Sequence, residues 1–571
     1  MAFSYPAALL LPVDAYDIDR HQVMGRRVAG LQLAKAIVAN LQVDESLTLI
    51  GTNPTDLRAL AADLPLPKNS QLVLSTRLDP RALEKLGCLH VPDPGLGNWC
   101  ELRSSQRGHA WSLSGVIHTV CSQTVSKALE ELLTAPLYPW DALICTSRAG
   151  LQVVEAAING HHEALERRFN SKLTMPEGPL LPLIPLALDP APYCWKEHFA
   201  SRNEQRLWAR KQLGISADAL VVVFVGRLSF HSKAHPQPLY RALAKLAANQ
   251  TQEVLLLECG HIYNSFIAAA FDDLAIEHDP LKVQRLGGLE PASDTEKQLA
   301  LAAADLFCSL ADNLQETFGL SVLEAMAAEL PVVASDWSGY RDLVEPGVSG
   351  FLIASADALK EASVDQLERE YRLGLIDYDK MVGLRSLAVS IDPAALFQAL
   401  AMLQQRPLLR LTMGLAARQR LEQLFSAEVV ASQYRALWQQ LKELRQKAAI
   451  DQPQLQPAAV RVPYGRLFAG FASSTMGTGP WQRLRNSTPA SVLLSPMQEA
   501  FCNYWCADSL APLVEWLETI PINKQFSLND LFSKFNSFNI SAEHQKPLLA
   551  CLIKLEIIKS TEPDSVELNK Q

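Results

Sequence analysis

Two acids, Glu316 and Glu324, are separated by seven residues in "NLQETFGLSVLEAMAAELPVVASDWSGYR", a stretch that is otherwise largely apolar. If "DLFCSL" (305–310) is a strand, "ADNLQETFG" is the loop beyond its carboxyl end and "LSVLEAMAA" is the following helix, stopped by Pro331. Glu316 then precedes the helix, and Glu324 can reach a more distant part of the same bound molecule. Between them, the backbone N–H groups of Thr317, Phe318, Gly319 and Leu320 come at a helix start, a setting that favours a phosphate, and Gly319 permits close backbone approach. A carboxylate, exposed amides and a second carboxylate in line suit the sugar, diphosphate and ribose of a nucleotide sugar. The plainer alternative is a capping acid and a surface helix position, both common.

A second element agrees with the first. "VVVFVGRLSFHSKAHPQPLYRAL" places Arg227 and Lys233 just past a strand and before a helix, two cations suited to a diphosphate. In the N-terminal part, "AALLLPVDAYDIDRHQVMGRRVAGLQLAKAI" is strand, loop and helix, with Gly25 near the helix start. Arg26 and Arg27 could attract an anionic acceptor or donor, or equally be solvated helix-start residues. His118, in "WSLSGVIHTVCS", is a single histidine among apolar residues, an arrangement more often found for a satisfied core group. Arg148, in "CTSRAG" beyond a strand end, is a further candidate on the same side.

The elements that must position these residues form an α/β pattern. The apolar runs at 7–13, 47–51, 71–76, 141–147, 219–226, 253–258, 305–310 and 331–336 fit buried parallel strands, rich in Val, Leu and Ile. The series divides at "MPEGPLLPLIPLALDPAPYCW", whose six prolines between 176 and 192 rule out a central strand or helix. It reads as a hinge between two doubly wound domains, whose ligands bind beyond the carboxyl ends of the strands. After residue 391 the pattern is helical; a Pro- and Gln-rich linker, "DQPQLQPAAVRVP", follows. The expected division is 1–188, 189–450 with trailing helices, a linker at 451–489, and a small, mainly helical module at 490–571.

Composition sets limits. A chain of 571 residues, 48% hydrophobic, can bury several cores. A net charge of -9 argues against coating nucleic acid, and the tail from 460 onward carries 10 Lys plus Arg against 10 Asp plus Glu, a poor match to DNA despite its strand-like "EIIKS" after a helix. That tail reads as a protein-contact or packing module, with Ser527 and Asp530 spaced as a capping box. Ten cysteines are too sparse for a disulfide scaffold; Cys145 and Cys308 sit in strand-like runs as reduced core thiols, and Cys502 and Cys506 read as two positions on one helix face. No apolar run approaches the roughly 18 residues of a membrane span. The expectation is a cytoplasmic protein with peripheral membrane contact at most. The G-x-G-x-x-G, P-loop, G-x-S-x-G and H-E-x-x-H motifs are absent.

The fifty residues "ADLFCSLADNLQETFGLSVLEAMAAELPVVASDWSGYRDLVEPGVSGFLI" closely resemble the E-x7-E region of retaining glycosyltransferases of family 4, the glycosyl transferases group 1. The resemblance implies the GT-B fold, two facing Rossmann-like domains with a cleft between them. It also implies that Arg227 and Lys233 match the cations of a "GRL…K" motif that bind the donor diphosphate, with the lysine one residue later than in the commonest form. Glu324 is expected to hold the ribose, Glu316 the sugar hydroxyls, and Gly25 to approach the donor phosphate across the cleft. His118 resembles a family histidine near the transferred sugar. Asp342 stands where family members often carry Glu. The implied activity is retaining transfer of a sugar, of hexosyl type, from a nucleoside diphosphate sugar to an acceptor hydroxyl, with no cofactor and no metal. The acceptor is a saccharide, a lipid-linked saccharide, a protein or a small molecule. The alternatives are a non-catalytic GT-B scaffold recruiting a protein partner through its tail, and a nucleotide-sugar epimerase.

Overall fold

The computed structural model describes residues 3–17, 25–103, 106–194, 198–248, 252–360, 366–457, 462–471, 481–483, 510–522, 524–554 and 557–561. Cys502 and Cys506 lie outside the described residues. Residues 1–460 make one compact unit and 461–571 a second.

The first unit contains two parallel sheets. One is built from β1 (Phe3–Ser4), β2 (Ala8–Leu10), β3 (Glu45–Ile50), β4 (Gln71–Ser75), β5 (Cys88–His90), β6 (Ser112–Val116) and β7 (Ala142–Ile144). Its order is β4-β3-β2-β5-β6-β7, with β1 paired to the start of β3. The other is built from β8 (Leu220–Val225), β9 (Val254–His261), β10 (Lys282–Gly288), β11 (Leu306–Ser309), β12 (Val332–Ser335) and β13 (Gly350–Ile353), in the order β10-β9-β8-β11-β12-β13. Each lobe thus repeats the doubly wound order in which the first strand lies at the centre and the fourth beside it, leaving a crevice where the winding reverses. Two such sheets in one unit are the GT-B arrangement expected from the sequence.

The strand composition follows from burial on both faces. All six residues of β8, "LVVVFV", are buried. Val221, Val223 and Val225 pack with Phe307 and Val332 on one face, and Leu220, Val222 and Phe224 with Leu306 and Val333 on the other, as the two-residue period of a strand requires. Every strand expected from an apolar run is present. β1, β5, β6 and β13 were not expected; of these, β5, "CLH", and β6, "SLSGV", are short and hold Ser, Gly and His. Cys145 and Cys308 are buried free thiols, as expected.

One long helix crosses from the second lobe back to the first. Ala427–Asp451, expected among the trailing helices of the second domain, packs Val430, Tyr434, Leu437, Trp438 and Leu441 into the core of the first sheet. Its Trp438 indole N–H donates to Ser114 Oγ of β6 at 2.8 Å, and Arg435 grips both carboxylate oxygens of Glu45 at 2.7 and 2.8 Å. A stripe of apolar residues at helical spacing says that a face is buried but not which core receives it.

The second unit has its own core, in which Leu513, Leu517, Leu531, Phe535, Leu548 and Leu552 of the helices Leu510–Glu518, Leu528–Ser537 and Ala542–Lys554 gather around Trp481. The stretch expected to be linker supplies the strand Trp481–Arg483, which pairs antiparallel with Gln525–Phe526 and Ile558–Ser560. The Ser527–Asp530 capping box is present in both directions.

Candidate active site

The carboxyl ends of the two sheets meet. Arg227 and Lys233 follow β8 and Glu316 follows β11, the adjacent central pair where the second sheet reverses its winding. Lys233 Nζ donates to Glu316 Oε2 at 2.5 Å, with each side chain only 14% exposed. Burial alone would lower the Lys233 ammonium, but the charge and hydrogen bond of Glu316, together with Tyr340, outweigh it and hold it above the ordinary lysine range. Burial alone would raise the Glu316 carboxyl, but Lys233, the Phe318 N–H and the Tyr340 hydroxyl hold it below its ordinary value. Both partners are therefore charged at neutral pH. Arg227 lies close enough to Lys233 to bear on its charge, and among the described residues Arg227 makes no hydrogen bond or ion pair.

Asn313, absent from the expected site, shapes the loop. Its Nδ2 donates to the Lys233 carbonyl at 2.7 Å, and its Oδ1 accepts from the Gln315 and Glu316 N–H groups at 3.0 and 3.3 Å, so one amide ties the two loops together. Tyr340, also unforeseen, is fully buried; its hydroxyl lies 2.9 Å from Ser309 Oγ and donates to Glu316 at 3.4 Å. A Cβ at Gly319, where φ is +115°, would stand 2.5 Å from the Tyr340 ring, so glycine is needed both for backbone conformation and for space. Gly319 precedes the helix Leu320–Ala327. The Phe318 side chain lies in the core against Phe425, and its N–H is directed at Glu316. Asp312, in the same loop, is buried; burial pushes its carboxyl up to about 6 against hydrogen bonds from the His235 N–H and Ser386 Oγ.

Glu324, on that helix, is 8% exposed. Its Oε1 accepts from the Tyr193 hydroxyl at 3.1 Å and from Lys297 Nζ at 2.8 Å. Neither partner was expected.

Thr317 joins the lobes. Its hydroxyl donates to the His118 carbonyl at 2.6 Å, and its own carbonyl accepts from Ser147 Oγ at 2.8 Å. His118 follows β6; burial first and the Arg26 charge second push its imidazole down to about 4, so it is neutral at pH 7. Arg148 opens the helix Arg148–Phe169 and is held by Asp342 of the second lobe, through its backbone N–H at 2.7 Å and its Nε at 2.6 Å. Farther along the seam, Cys121 Sγ lies 3.1 Å from the Tyr378 hydroxyl, and the Gln123 N–H donates to the Tyr371 hydroxyl at 3.2 Å.

The remaining N-terminal candidates are placed as follows. Gly25 begins the helix Gly25–Ala39 and is exposed, with open space where a Cβ would stand. Arg26 is exposed and forms an ion pair with Asp14, while Arg27 is buried at the same helix start. The structure thus brings Glu316, Lys233, Arg227, Thr317 and His118 to one seam and places Glu324 one helix away. It engages Arg148 in an ion pair between the lobes. Among the described residues no cluster of His, Cys, Asp or Glu is placed to hold a metal ion, and no helix is long and apolar enough to cross a membrane.

Residues 206–377 match the family described as Glycosyl transferases group 1. The chain is 35% identical over 187 residues to the D-inositol 3-phosphate glycosyltransferase of Thermobispora bispora, covering 32% of this chain and 41% of that protein. It is 32% identical over 152 residues to the protein of the same name from Corynebacterium kroppenstedtii, covering 26% of this chain and 32% of the other. The matches therefore span about a third to two fifths of these relatives' length. Among solved structures, the Anabaena protein Alr3699/HepE, crystallised in complex with UDP and glucose, aligns with a TM-score of 0.47 and 16% identity over 76% of this chain and 99% of that one.

Proposed function

We propose that this chain, which through residues 206–377 belongs to the glycosyl transferases group 1 family, is a retaining glycosyltransferase that moves a hexosyl group from a nucleoside diphosphate sugar to an acceptor hydroxyl. The observation that carries this reading is the buried Lys233–Glu316 pair beside Arg227, at the point where the second sheet reverses its winding. Each member of the pair keeps the other ionised. When a donor enters, its sugar hydroxyls donate to Glu316 and its phosphate oxygens accept from Lys233 and Arg227, so Glu316 and Lys233 each exchange a partner for a substrate group and Arg227 gains one. Negative charge grows on the diphosphate as the sugar leaves, and fixed cations at that point stabilise the transition state more than the ground state. In this reading the two cations take the place of a metal, Glu324 holds the ribose, and Gly25 lets the donor phosphate approach the first lobe.

His118, neutral at pH 7 and fastened by its carbonyl to Thr317, stands beside the transferred sugar in this reading. It can accept or donate a hydrogen bond to a hydroxyl of the transferred sugar without adding charge. We assign no protein nucleophile; in this reading the leaving phosphate oxygen takes the proton of the incoming hydroxyl.

Incubating the full chain with a panel of nucleoside diphosphate sugars and following release of the nucleoside diphosphate tests the reading. Arg227→Ala and Lys233→Ala should each lower turnover by about a hundredfold or more, the usual loss when a charge-stabilising group is removed. Near-normal turnover in both variants would refute the assignment, and an inverted anomer in the product would refute retention.

A further inference from the structure

Glu324 is held unevenly. Two donors, the Tyr193 hydroxyl and the Lys297 ammonium, converge on Oε1 at 3.1 and 2.8 Å, whereas Oε2 makes no hydrogen bond among the described residues. The donors come from separate parts of the fold. Tyr193 ends a short turn, Ala191–Tyr193, in the connector between the two sheets, and Lys297 lies on the helix Asp294–Ala303 that follows β10. Lys297 is itself steered by Asp294 at 3.3 Å. Burial would lower the Lys297 ammonium, but the charges and hydrogen bonds of Glu324 and Asp294 together outweigh burial and raise it.

A carboxylate accepts about four hydrogen bonds, and two strong donors on one oxygen remove its freedom to turn. The other oxygen is then presented in one orientation. We propose that Tyr193 and Lys297 are positioning residues that fix Glu324 so that Oε2 accepts the two vicinal hydroxyls of a ribose, making the chain select ribonucleoside over 2′-deoxyribonucleoside diphosphates. The inference rests on the donor-site reading above and adds to it the residues that set nucleotide selectivity. A site built to accept from a hydroxyl rejects the analogue that lacks it, because the buried acceptor is left without a partner.

Isothermal titration of the full chain with UDP, ADP and GDP, and with the 2′-deoxy form of each, tests the inference. At least one ribonucleotide should bind, with its 2′-deoxy form about tenfold weaker or more. In Tyr193→Phe and Lys297→Met the ribonucleotide should weaken by about three- to tenfold while the 2′-deoxy form changes by less than about twofold, so discrimination collapses. Lys297→Arg, which keeps the ion pair, should restore most of it. In transfer assays the two loss variants should raise KM for the donor and leave kcat nearly unchanged. Unchanged discrimination in both loss variants, with binding abolished in Arg227→Ala, would overturn the positioning roles and leave the donor site standing. Failure of the parent chain to bind any of the six nucleotides would overturn the donor site and this inference together.

Discussion

Asp342 holds Arg148 twice, by its backbone N–H and by its guanidinium, so one carboxylate of the second lobe caps a helix of the first. The two bonds differ in exposure. The Arg148 side chain is 71% exposed and contributes little through its ion pair alone, whereas the capped backbone N–H needs its acceptor. Asp342→Ala should therefore lower stability by about 1 to 2 kcal/mol and Arg148→Ala by less than about 1 kcal/mol, measured by urea denaturation. Equal losses would show that the guanidinium, not the cap, carries the contact.

Thr317 stands next to Glu316, and its hydroxyl is bonded to the first lobe. Thr317→Val keeps the shape and removes that bond, which is worth about 1 kcal/mol. Transfer should slow by about fivefold with nucleoside diphosphate affinity unchanged, since the change disturbs the seam and not the cations. A variant that lost nucleotide affinity instead would place Thr317 in the diphosphate site.

The Lys233–Glu316 pair should show strong coupling. Lys233→Met leaves a buried carboxylate without its cation, a change that typically costs about 3 to 5 kcal/mol. Adding Glu316→Gln removes the stranded charge, so the double variant should recover part of that loss in thermal or urea denaturation. If the double variant is less stable than Lys233→Met alone, the pair is not the charge couple described.

Asp312 supplies a dependence on pH. Its folded carboxyl is raised from the ordinary 3.8 to about 6, so the native state binds its proton more tightly than the unfolded chain. That contribution to stability is complete below about pH 3.8 and is lost as pH rises through about 6, a change of about 1 to 3 kcal/mol. Asp312→Asn should remove this slope: the difference in stability between variant and parent should shift in the variant's favour between pH 4 and pH 7. A difference that stays constant over that interval would contradict the raised carboxyl.

The readable part of this molecule was the part written locally. β8 declares itself because six consecutive apolar residues fit only a strand buried on both faces, and Glu316, Lys233 and Arg227 sit in loops that such strands must be followed by. β5 and β6 escaped notice because "CLH" and "SLSGV" are too short, and too mixed with Cys, His, Ser and Gly, to show an apolar run, although neighbouring strands bury them fully. Tyr193 and Lys297 were missed for a different reason. A tyrosine in a proline-rich connector and a lysine on an ordinary helix acquire meaning only when folding carries both to one oxygen of Glu324. Asn313 had a local signal, a side chain three residues before Glu316 that could cap the turn, and it passed unread.

The helix Ala427–Asp451 returns the chain from the second lobe to the first. A fragment stopping at residue 188 would lack Trp438, Tyr434 and Leu441, and would lay open the apolar wall of the first sheet that those side chains cover. Severing the polypeptide once between the lobes leaves the second crossing intact. Limited proteolysis in the connector should therefore yield a nicked protein that still migrates as one particle, and any opening of the seam must bend two straps together.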